Sequence, residues 1–435
     1  MRIGIQAWGS EGDIRPFLAL AHGLVTRGHD VEFLYTELGD RRYDAAAEAL
    51  GVRARAVGAP VHTDPEALSR MGWEMLKAAN PLEQSKLIVR YFFDPVVDEM
   101  HAAAVDLCQR VDLLVSHFFL YPTRAAAEAA GVPEISVTLA PSTVPSRAIH
   151  PTGLPRLGAW GNAAGWWFAR LACNFTFRGR INAFRASHGL DPIRDVMTEA
   201  WASRRLNLVA ASPTLCPRPD DWPPQHRVTG FLHLPRTAAE PVPDAVEAFI
   251  ADGPAPVFVG FGSLMPEHTR DLDQTLAIVR DACRATDARA IVQVPPAHGD
   301  RTGVHGRLLL VSRLHHAAVF PRCAGVVHHG GAGTIQTALA AGVPSVVVPH
   351  VADQYFWAER LEELGVAPPA VPRRSWTARD LVRQLQWLGS HSDARERAEQ
   401  LGYRMSTEDG VGVACAALED AGLRWTRKKG ASGRA

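Results

Sequence analysis

Val326-Val-His-His-Gly-Gly-Ala-Gly-Thr-Ile335 is the stretch that decides the fold, because an apolar strand runs directly into a glycine-rich turn and then into a helix. Glycines let backbone N–H groups approach a ligand closely. A helix that begins near Thr334 directs the positive end of its dipole at the same point. The pattern predicts an anion site, and a diphosphate suits it.

A second strand end follows at Pro349-His-Val-Ala-Asp-Gln-Tyr355. Its neighbouring side chains Asp353 and Gln354 are able to hydrogen-bond the hydroxyl groups of a sugar. The two segments together predict a site for a nucleotide diphosphate that is joined to a sugar.

Strands and helices alternate along most of the chain. Apolar runs predict strands at residues 2–8, 30–35, 112–116 and 134–139, and again at 257–263, 290–294, 308–311, 326–329 and 345–349. Apolar residues at helical spacing follow the first strand until Gly28. This alternation predicts the α/β class, with two doubly wound parallel sheets.

Residues 213–243 are rich in proline and charge and have the composition of an interdomain linker. We place the boundary near residue 235, which gives an N-terminal domain at 1–235 and a C-terminal domain at 236–435. A chain of 435 residues with 47% hydrophobic content is large enough for two cores.

The charge balance argues against a nucleic-acid or anionic-membrane partner, since 46 Lys and Arg residues face 46 Asp and Glu residues. The N-terminus enters a strand at once, and no apolar run reaches the roughly 18 residues of a membrane span. We therefore expect a cytoplasmic protein without integral membrane association. We also expect a monomer or weak homodimer. The six cysteines lie far apart, which favours reduced, buried thiols over a disulfide framework or metal site.

The two glycine-rich motifs resemble those of a known superfamily. His329, Gly331, Gly333 and Thr334, together with Asp353-Gln354, resemble the donor-binding signature of the UDP-glycosyltransferases. Gly9-Ser-Glu-Gly-Asp-Ile-Arg-Pro16 is similar to a motif of the bacterial antibiotic glycosyltransferases and sterol glucosyltransferases. The resemblance implies a GT-B fold of two facing Rossmann-like domains. It also implies an acceptor-binding N-terminal domain, a donor-binding C-terminal domain, and a last helix that packs on the N-terminal domain.

The resemblance implies roles for the donor residues. His329 and the backbone near Gly331, Gly333 and Thr334 would bind the diphosphate, with Asp353 and Gln354 on the sugar. The further donor residues that it implies are Gly262 and Ser263 at the phosphates, and Arg313, Leu314 and Thr337 in the nucleoside region. Relatives that read ribose have a glutamate at the position of Thr337, but sterol-type relatives that use UDP-glucose also lack it, so UDP and TDP donors both stay open. Relatives that stack the base on a tryptophan have it where Arg313 stands here.

Asp13, in the loop after the first strand, has two interpretations. Sugar transfer to a hydroxyl needs a base for the acceptor proton, and Asp13 with its neighbour Gly12 would face the acceptor. Alternatively, Asp13 or Ser10 only caps the helix that follows, because both residue types favour helix N-termini. The resemblance favours the catalytic role.

Residues 158–177 are unusually aromatic. Trp160, Trp166, Trp167 and Phe168 either form a hydrophobic acceptor wall or pack into the core as parts of a helical insert. In the resembling family this region lines the acceptor pocket, which favours the acceptor wall.

The sequence as a whole predicts an inverting glycosyltransferase that needs no cofactor and no metal. Its substrates would be a nucleotide-diphosphate sugar and a hydroxyl of a hydrophobic small molecule, such as a sterol or polyketide. The alternatives are a GT-B nucleotide-sugar epimerase and a non-catalytic regulatory protein that binds nucleotide sugars. A nicotinamide-dependent dehydrogenase ranks lower, because the first strand is not followed by Gly-x-Gly-x-x-Gly.

Overall fold

The computed structural model describes residues 1–39, 41–59, 64–78, 80–235, 242–264 and 268–432. The chain forms two compact units. The first comprises Met1–Thr63, Ser85–Pro235 and Asp409–Ala435, and the second comprises Asp64–Gln84 and Arg236–Glu408. The segment 64–84 thus packs with the second unit, although it lies within the domain that the sequence predicts as 1–235.

A seven-stranded parallel sheet forms the centre of the first unit. Its strands are β1 (Arg2–Gly9), β2 (Asp30–Glu37), β3 (Arg53–Ala56), β4 (Leu113–His117), β5 (Glu134–Thr138), β6 (Asn207–Val209) and β7 (His226–Val228). The order across the sheet is β3-β2-β1-β4-β5-β6-β7, with all neighbouring strands parallel. The order reverses between β1 and β4, and in such sheets ligands bind at the carboxyl ends of the strands at this point.

The second unit contains a six-stranded sheet. Its strands are β8 (Val257–Gly260), β9 (Ala290–Gln293), β10 (Gly303–His305), β11 (Leu308–Val311), β12 (Gly325–His328) and β13 (Ser345–Val347). The order is β10-β11-β9-β8-β12-β13, and only the edge strand β10 pairs antiparallel. Apolar side chains pack on both faces. The loops after β8, β12 and β13 lie at one edge of this sheet.

Helices connect these strands and cover the sheets. They are α1 (Glu11–Thr26), α2 (Asp44–Ala49), α3 (Pro65–Lys77), α4 (Pro81–Ile88), α5 (Val97–Cys108), α6 (Tyr121–Ala130), α7 (Gly158–Cys173), α8 (Gly179–Ser187), α9 (Asp244–Ala251), α10 (Thr269–Thr286), α11 (His316–Val319), α12 (Ala332–Ala340), α13 (Gln354–Glu363), α14 (Ala378–Ser390), α15 (Ser392–Met405) and α16 (Gly410–Ser432). Helix α1 buries Phe17, Leu20 and Leu24 against the first sheet. Gly28, at φ +84°, follows its end as the sequence predicts.

The last helix, α16, packs in the first unit. The carboxylate of Glu419 accepts hydrogen bonds from both Nε and Nη2 of Arg27, at 2.9 and 2.7 Å, and lies 2.9 Å from Nε2 of His29. Gly23 of α1 permits this packing, because a Cβ atom there would lie 2.3 Å from Cγ1 of Val411. The two helices therefore pack closely at Gly23.

Four strands escape prediction from the sequence. Strands β3, β7 and β10 lie at sheet edges, where few residues are buried, so they form no apolar run. Strand β6 has three residues. Strand β7 also lies inside the segment 213–243 that composition predicts as a linker, and part of that segment, 236–241, lies outside the described residues. All six cysteines are free and buried, as expected.

Candidate functional site

The glycine turn after β12 encloses the ring of His329. A Cβ atom on Gly331 would lie 2.4 Å from Nε2 of His329, and one on Gly262, after β8, would lie 3.2 Å from Cε1 of the same ring. Gly262 has φ +57°, which also favours glycine. The ring of His329 therefore lies between the ends of β8 and β12, and a side chain at Gly262 or Gly331 would displace it.

Helix α12 starts at Ala332, two residues before the predicted start. The first backbone hydrogen bond of this helix runs from the N–H of Ile335 to the carbonyl of Gly331, at 3.1 Å. The N–H groups of Ala332, Gly333 and Thr334 precede it and have no acceptor within the helix. These donors, with the helix dipole, make the turn an anion site beside His329.

His329 is uncharged at neutral pH. Burial, together with the nearby His316, lowers its pKa to about 4. Its Nδ1 atom has no hydrogen-bond partner among the described residues. The imidazole can therefore give a hydrogen bond without bringing a positive charge, and the positive potential comes from the helix N-terminus.

His328 shapes the turn rather than the site. It is fully buried, and its Nδ1 accepts a hydrogen bond of 3.0 Å from the N–H of Gly330. Gly330 has φ +94°, and a Cβ atom there would lie 3.0 Å from Val347 and 3.1 Å from the carbonyl oxygen of Gln354. Sequence reasoning named Gly331 and Gly333 and missed Gly330, whose positive φ makes it the glycine that the turn requires.

The loop after β13 carries the two residues predicted to bind the sugar. Gln354 is buried, and its Oε1 accepts hydrogen bonds from the N–H groups of His350 and Val351, at 2.8 and 3.0 Å. This oxygen therefore holds the loop together. Asp353 is half-buried, and its Oδ2 accepts a hydrogen bond from Nε1 of Trp357 at 3.2 Å. Ala352, which directly precedes Asp353, adopts φ +53°, which is unusual for a residue with a side chain.

The predicted nucleoside residues lie at two places in the second unit. Arg313 is exposed after β11, and Leu314 is partly buried against the core. Thr337 lies on α12, and its hydroxyl donates to the carbonyl of Gly333 at 2.8 Å. Thr337 thus presents the oxygen of a neutral hydroxyl at the position where ribose-reading relatives have a carboxylate.

In the first unit, Asp13 is the third residue of α1, so it lies in the first helical turn and not in the loop that the sequence predicts. Its Oδ2 accepts hydrogen bonds from the N–H and the hydroxyl of Ser10, at 2.8 and 3.1 Å, so the capping interpretation is correct as far as it goes. Oδ1 makes no hydrogen bond among the described residues, which leaves it able to accept a proton. Burial raises the pKa of Asp13 to about 6, while the hydrogen bonds from Ser10 lower it. A carboxylate with this pKa is a stronger base than an exposed aspartate. Gly12, beside it, is exposed.

The aromatic region divides into a core residue and an exposed face. Trp166 is buried, and its Nε1 donates to the carbonyl of Ile149 at 2.6 Å, so it does not belong to an exposed wall. Trp160, Trp167 and Phe168 on the same helix, α7, are 81%, 58% and 61% exposed. Trp166 thus fits the core interpretation, whereas the acceptor wall stays a prediction for the three exposed residues.

Neither a metal-binding cluster nor a membrane-spanning helix occurs among the described residues. Within the described residues, no group of three or more His, Cys, Asp or Glu side chains could hold a metal ion. Asp271 and Asp273 lie in the first turns of α10. Among the same residues, no helix has the length and apolarity needed to cross a membrane.

Comparison with known proteins agrees with this geometry. Residues 3–148 match the Glycosyltransferase family 28 N-terminal domain, and residues 277–409 match the Erythromycin biosynthesis protein CIII-like C-terminal domain. The chain is 32% identical to the O-mycaminosyltylonolide 6-deoxyallosyltransferase of Streptomyces fradiae, over 97% of both chains. It is 28% identical to the sterol 3-beta-glucosyltransferase UGT80B1 of Arabidopsis thaliana, over 95% of this chain and 67% of that protein.

Solved structures show the same architecture. The glycotransferase of kitacinnamycin superposes with a TM-score of 0.70 at 21% identity, covering 97% of this chain and 98% of that chain. The glycosyltransferase VinC in complex with DTDP superposes with a TM-score of 0.65 at 22% identity, covering 98% of this chain and 100% of that chain. Fold and site define a GT-B enzyme. Its 32% identity to a full-length relative places the chain in the glycosyltransferase family that includes antibiotic glycosyltransferases and sterol glucosyltransferases.

Proposed function

We propose that this glycosyltransferase moves a sugar from a UDP- or TDP-sugar to a hydroxyl of a hydrophobic small molecule, with inversion at the anomeric carbon. The observation that carries the proposal is the turn around His329, where a neutral imidazole and the free N–H groups of α12 converge. These groups would stabilise the negative charge that develops on the departing diphosphate. This assignment of the leaving-group site requires no metal.

The acceptor proton would pass to Oδ1 of Asp13. Its pKa of about 6 keeps the carboxylate ionised at neutral pH yet close enough to neutrality to take a proton. The acceptor oxygen attacks the anomeric carbon as the C–O bond between that carbon and the diphosphate breaks. One glycosidic bond to the acceptor forms, and the nucleotide diphosphate leaves. Asp353 would hold the sugar hydroxyls.

Three observations support the choice of substrates. The relatives include enzymes named for O-mycaminosyltylonolide, a sterol and vancomycin aglycone. VinC was solved with DTDP, and the hydroxyl of Thr337 offers no carboxylate for ribose, so both nucleotides stay in the proposal. The exposed aromatic face of α7, with Trp160, Trp167 and Phe168, would bind the apolar acceptor. Cytoplasmic location and a monomeric or weakly dimeric state stay predictions from the sequence.

A transfer assay tests the function. The protein is incubated with UDP- and TDP-hexoses and with sterols and macrolide aglycones, and release of nucleotide diphosphate is followed together with formation of glycoside. We expect glycoside with the anomeric configuration opposite to that of the donor, as read by proton NMR. Binding of nucleotide sugar without product from any acceptor would instead support the non-catalytic alternative. Interconversion of donor sugars without an acceptor would support the epimerase.

A further inference from the structure

Residues 64–84, which we call the strap, come from the first half of the sequence but pack within the second unit. The strap contains α3 and the start of α4. One attachment lies in α3, where the hydroxyl of Ser69 donates to Oδ2 of Asp271 at 2.5 Å. Asp271 belongs to the first turn of α10.

The other attachment is Gln84, at the end of the strap. Its side chain is buried, with an exposed fraction of 3%. Nε2 donates to the carbonyl of Met75 at 3.3 Å and to the carbonyl of His350 at 3.4 Å, and Oε1 accepts from the N–H of Ala352 at 3.1 Å. The amide therefore satisfies one acceptor and one donor of the loop after β13, and these two groups lie two residues apart.

That loop contains a conformation that needs support. The left-handed backbone of Ala352, at φ +53°, is unfavourable for a residue with a Cβ atom. Gln354 binds the N–H groups of His350 and Val351 from within the loop. Gln84 supplies the bond to Ala352 itself, the residue directly before Asp353. The backbone directly before Asp353 thus carries a hydrogen bond from the strap, while Oδ2 of Asp353 accepts a further bond from Nε1 of Trp357.

We propose that Gln84 is a positioning residue, which holds Ala352 in its left-handed conformation and thereby directs Asp353 at the donor sugar. This inference rests on the proposed function. It assigns to the strap a role in recognising the sugar but none in binding the diphosphate, because the bonds of Gln84 reach the loop after β13 and not the turn around His329.

The test compares two affinities by isothermal titration calorimetry. The probes are free UDP or TDP and the corresponding nucleotide sugar that the transfer assay turns over fastest. Gln84→Met keeps the approximate size and removes the hydrogen bonds. We expect it to weaken binding of the nucleotide sugar about tenfold, since a net hydrogen bond contributes on this scale. Binding of the nucleotide diphosphate should change by no more than about twofold.

A matched control is Gln384→Met. Gln384 is another buried glutamine of the second unit, with hydrogen bonds to Trp376 and Pro369. We expect both affinities to change by less than twofold. Gln84→Glu keeps an acceptor for the N–H of Ala352 but places a carboxylate oxygen against the carbonyls of Met75 and His350, so it should also weaken binding of the nucleotide sugar and not of the nucleotide diphosphate. It provides the same comparison if Gln84→Met does not fold.

A second variant separates positioning from general stability. Ala352→Gly, added to Gln84→Met, removes the cost of the left-handed backbone and should recover at least threefold of the lost sugar affinity. Equal weakening of both ligands by the Gln84 variants, or unchanged sugar affinity, would overturn the positioning role. A wild-type protein that binds no nucleotide sugar would instead overturn the proposed function, whatever Gln84 does.

Discussion

At the scale of single residues, Asp13 combines a structural role with the chemical role that we propose for it. One oxygen caps α1 through Ser10, and the other has no hydrogen bond among the described residues. The cap fixes the side chain, so the second oxygen is held in place without being neutralised by a cation. A fixed and partly desolvated carboxylate is what a general base requires.

Asp13→Asn keeps the shape of the side chain and removes the base. We expect turnover to fall by about 10²-fold or more while donor affinity is retained. Steady-state kinetics with calorimetry of donor binding checks this. Near-normal turnover in a folded variant would eliminate Asp13 as the base.

The pH profile gives an independent measure of the same residue. Since the ionised form is the base and its pKa is about 6, kcat/KM should fall about tenfold per pH unit below pH 6. Ser10→Ala removes a hydrogen bond that lowers this pKa, so the acid limb should move to higher pH. An acid limb that does not respond to Ser10→Ala would assign the titration to another group.

His329→Ala tests the leaving-group site. The imidazole would contact the diphosphate both in the bound donor and in the transition state, so we expect weaker binding of free nucleotide diphosphate together with slower turnover. His305→Ala, at an exposed histidine of the same unit, is the control and should change neither quantity. Unchanged affinity for UDP and TDP in His329→Ala would contradict the assignment.

At the scale of the element, the turn between β12 and α12 depends on its first glycine. Gly330→Ala forces a side chain onto φ +94° and against Val347 and Gln354. We expect a loss of about 1–3 kcal/mol in unfolding free energy and weaker nucleotide binding. Gly389→Ala, on α14 with no atom within 4 Å of the added Cβ, should leave binding unchanged and be neutral or slightly stabilising. Urea unfolding of both variants decides, and equal stability would show that the turn tolerates a side chain.

An element could be predicted from the sequence when its signal lies in neighbouring residues, and not when it depends on distant contacts. The turn around His329 and the interior strands other than β6 were predictable, because glycine spacing and apolar runs are local signals. The edge strands β3, β7 and β10 bury too little to leave such a signal. The strap was not predictable, since the role of Gln84 depends on hydrogen bonds to residues more than 260 positions away.

The candidate site shows the same limit. His329 and Asp13 lie beside glycine-rich segments, as the sequence places them, and their roles stay predictions. The engagement of Gln354 within its own loop and the burial of Trp166 follow from tertiary contacts, which residue type alone does not reveal. The raised pKa of Asp13 has the same origin, because burial determines it.

At the scale of the whole molecule, α16 attaches the end of the chain to the first unit. Gly23→Leu would place a side chain where Val411 and Cys415 now lie. We expect about 1–3 kcal/mol of destabilisation in the first unit, with nucleotide diphosphate binding by the second unit retained. Gly179→Ala, in α8 with open space around it, is the matched control. Denaturant unfolding combined with calorimetry gives both readouts, and an unchanged unfolding midpoint would show that α16 is dispensable there.

The two units do not correspond to two continuous halves of the sequence, and this limits how the enzyme can be recombined with its relatives. The chain changes unit at residues 63/64, 84/85, 235/236 and 408/409. A chimaera with a foreign N-terminal part joined only near residue 235 would pair a foreign strap with the native loop after β13, and the native α16 with a foreign α1. Exchange of donor specificity between such enzymes should therefore succeed more often when residues 64–84 travel with the second unit and residues 409–435 stay with the first.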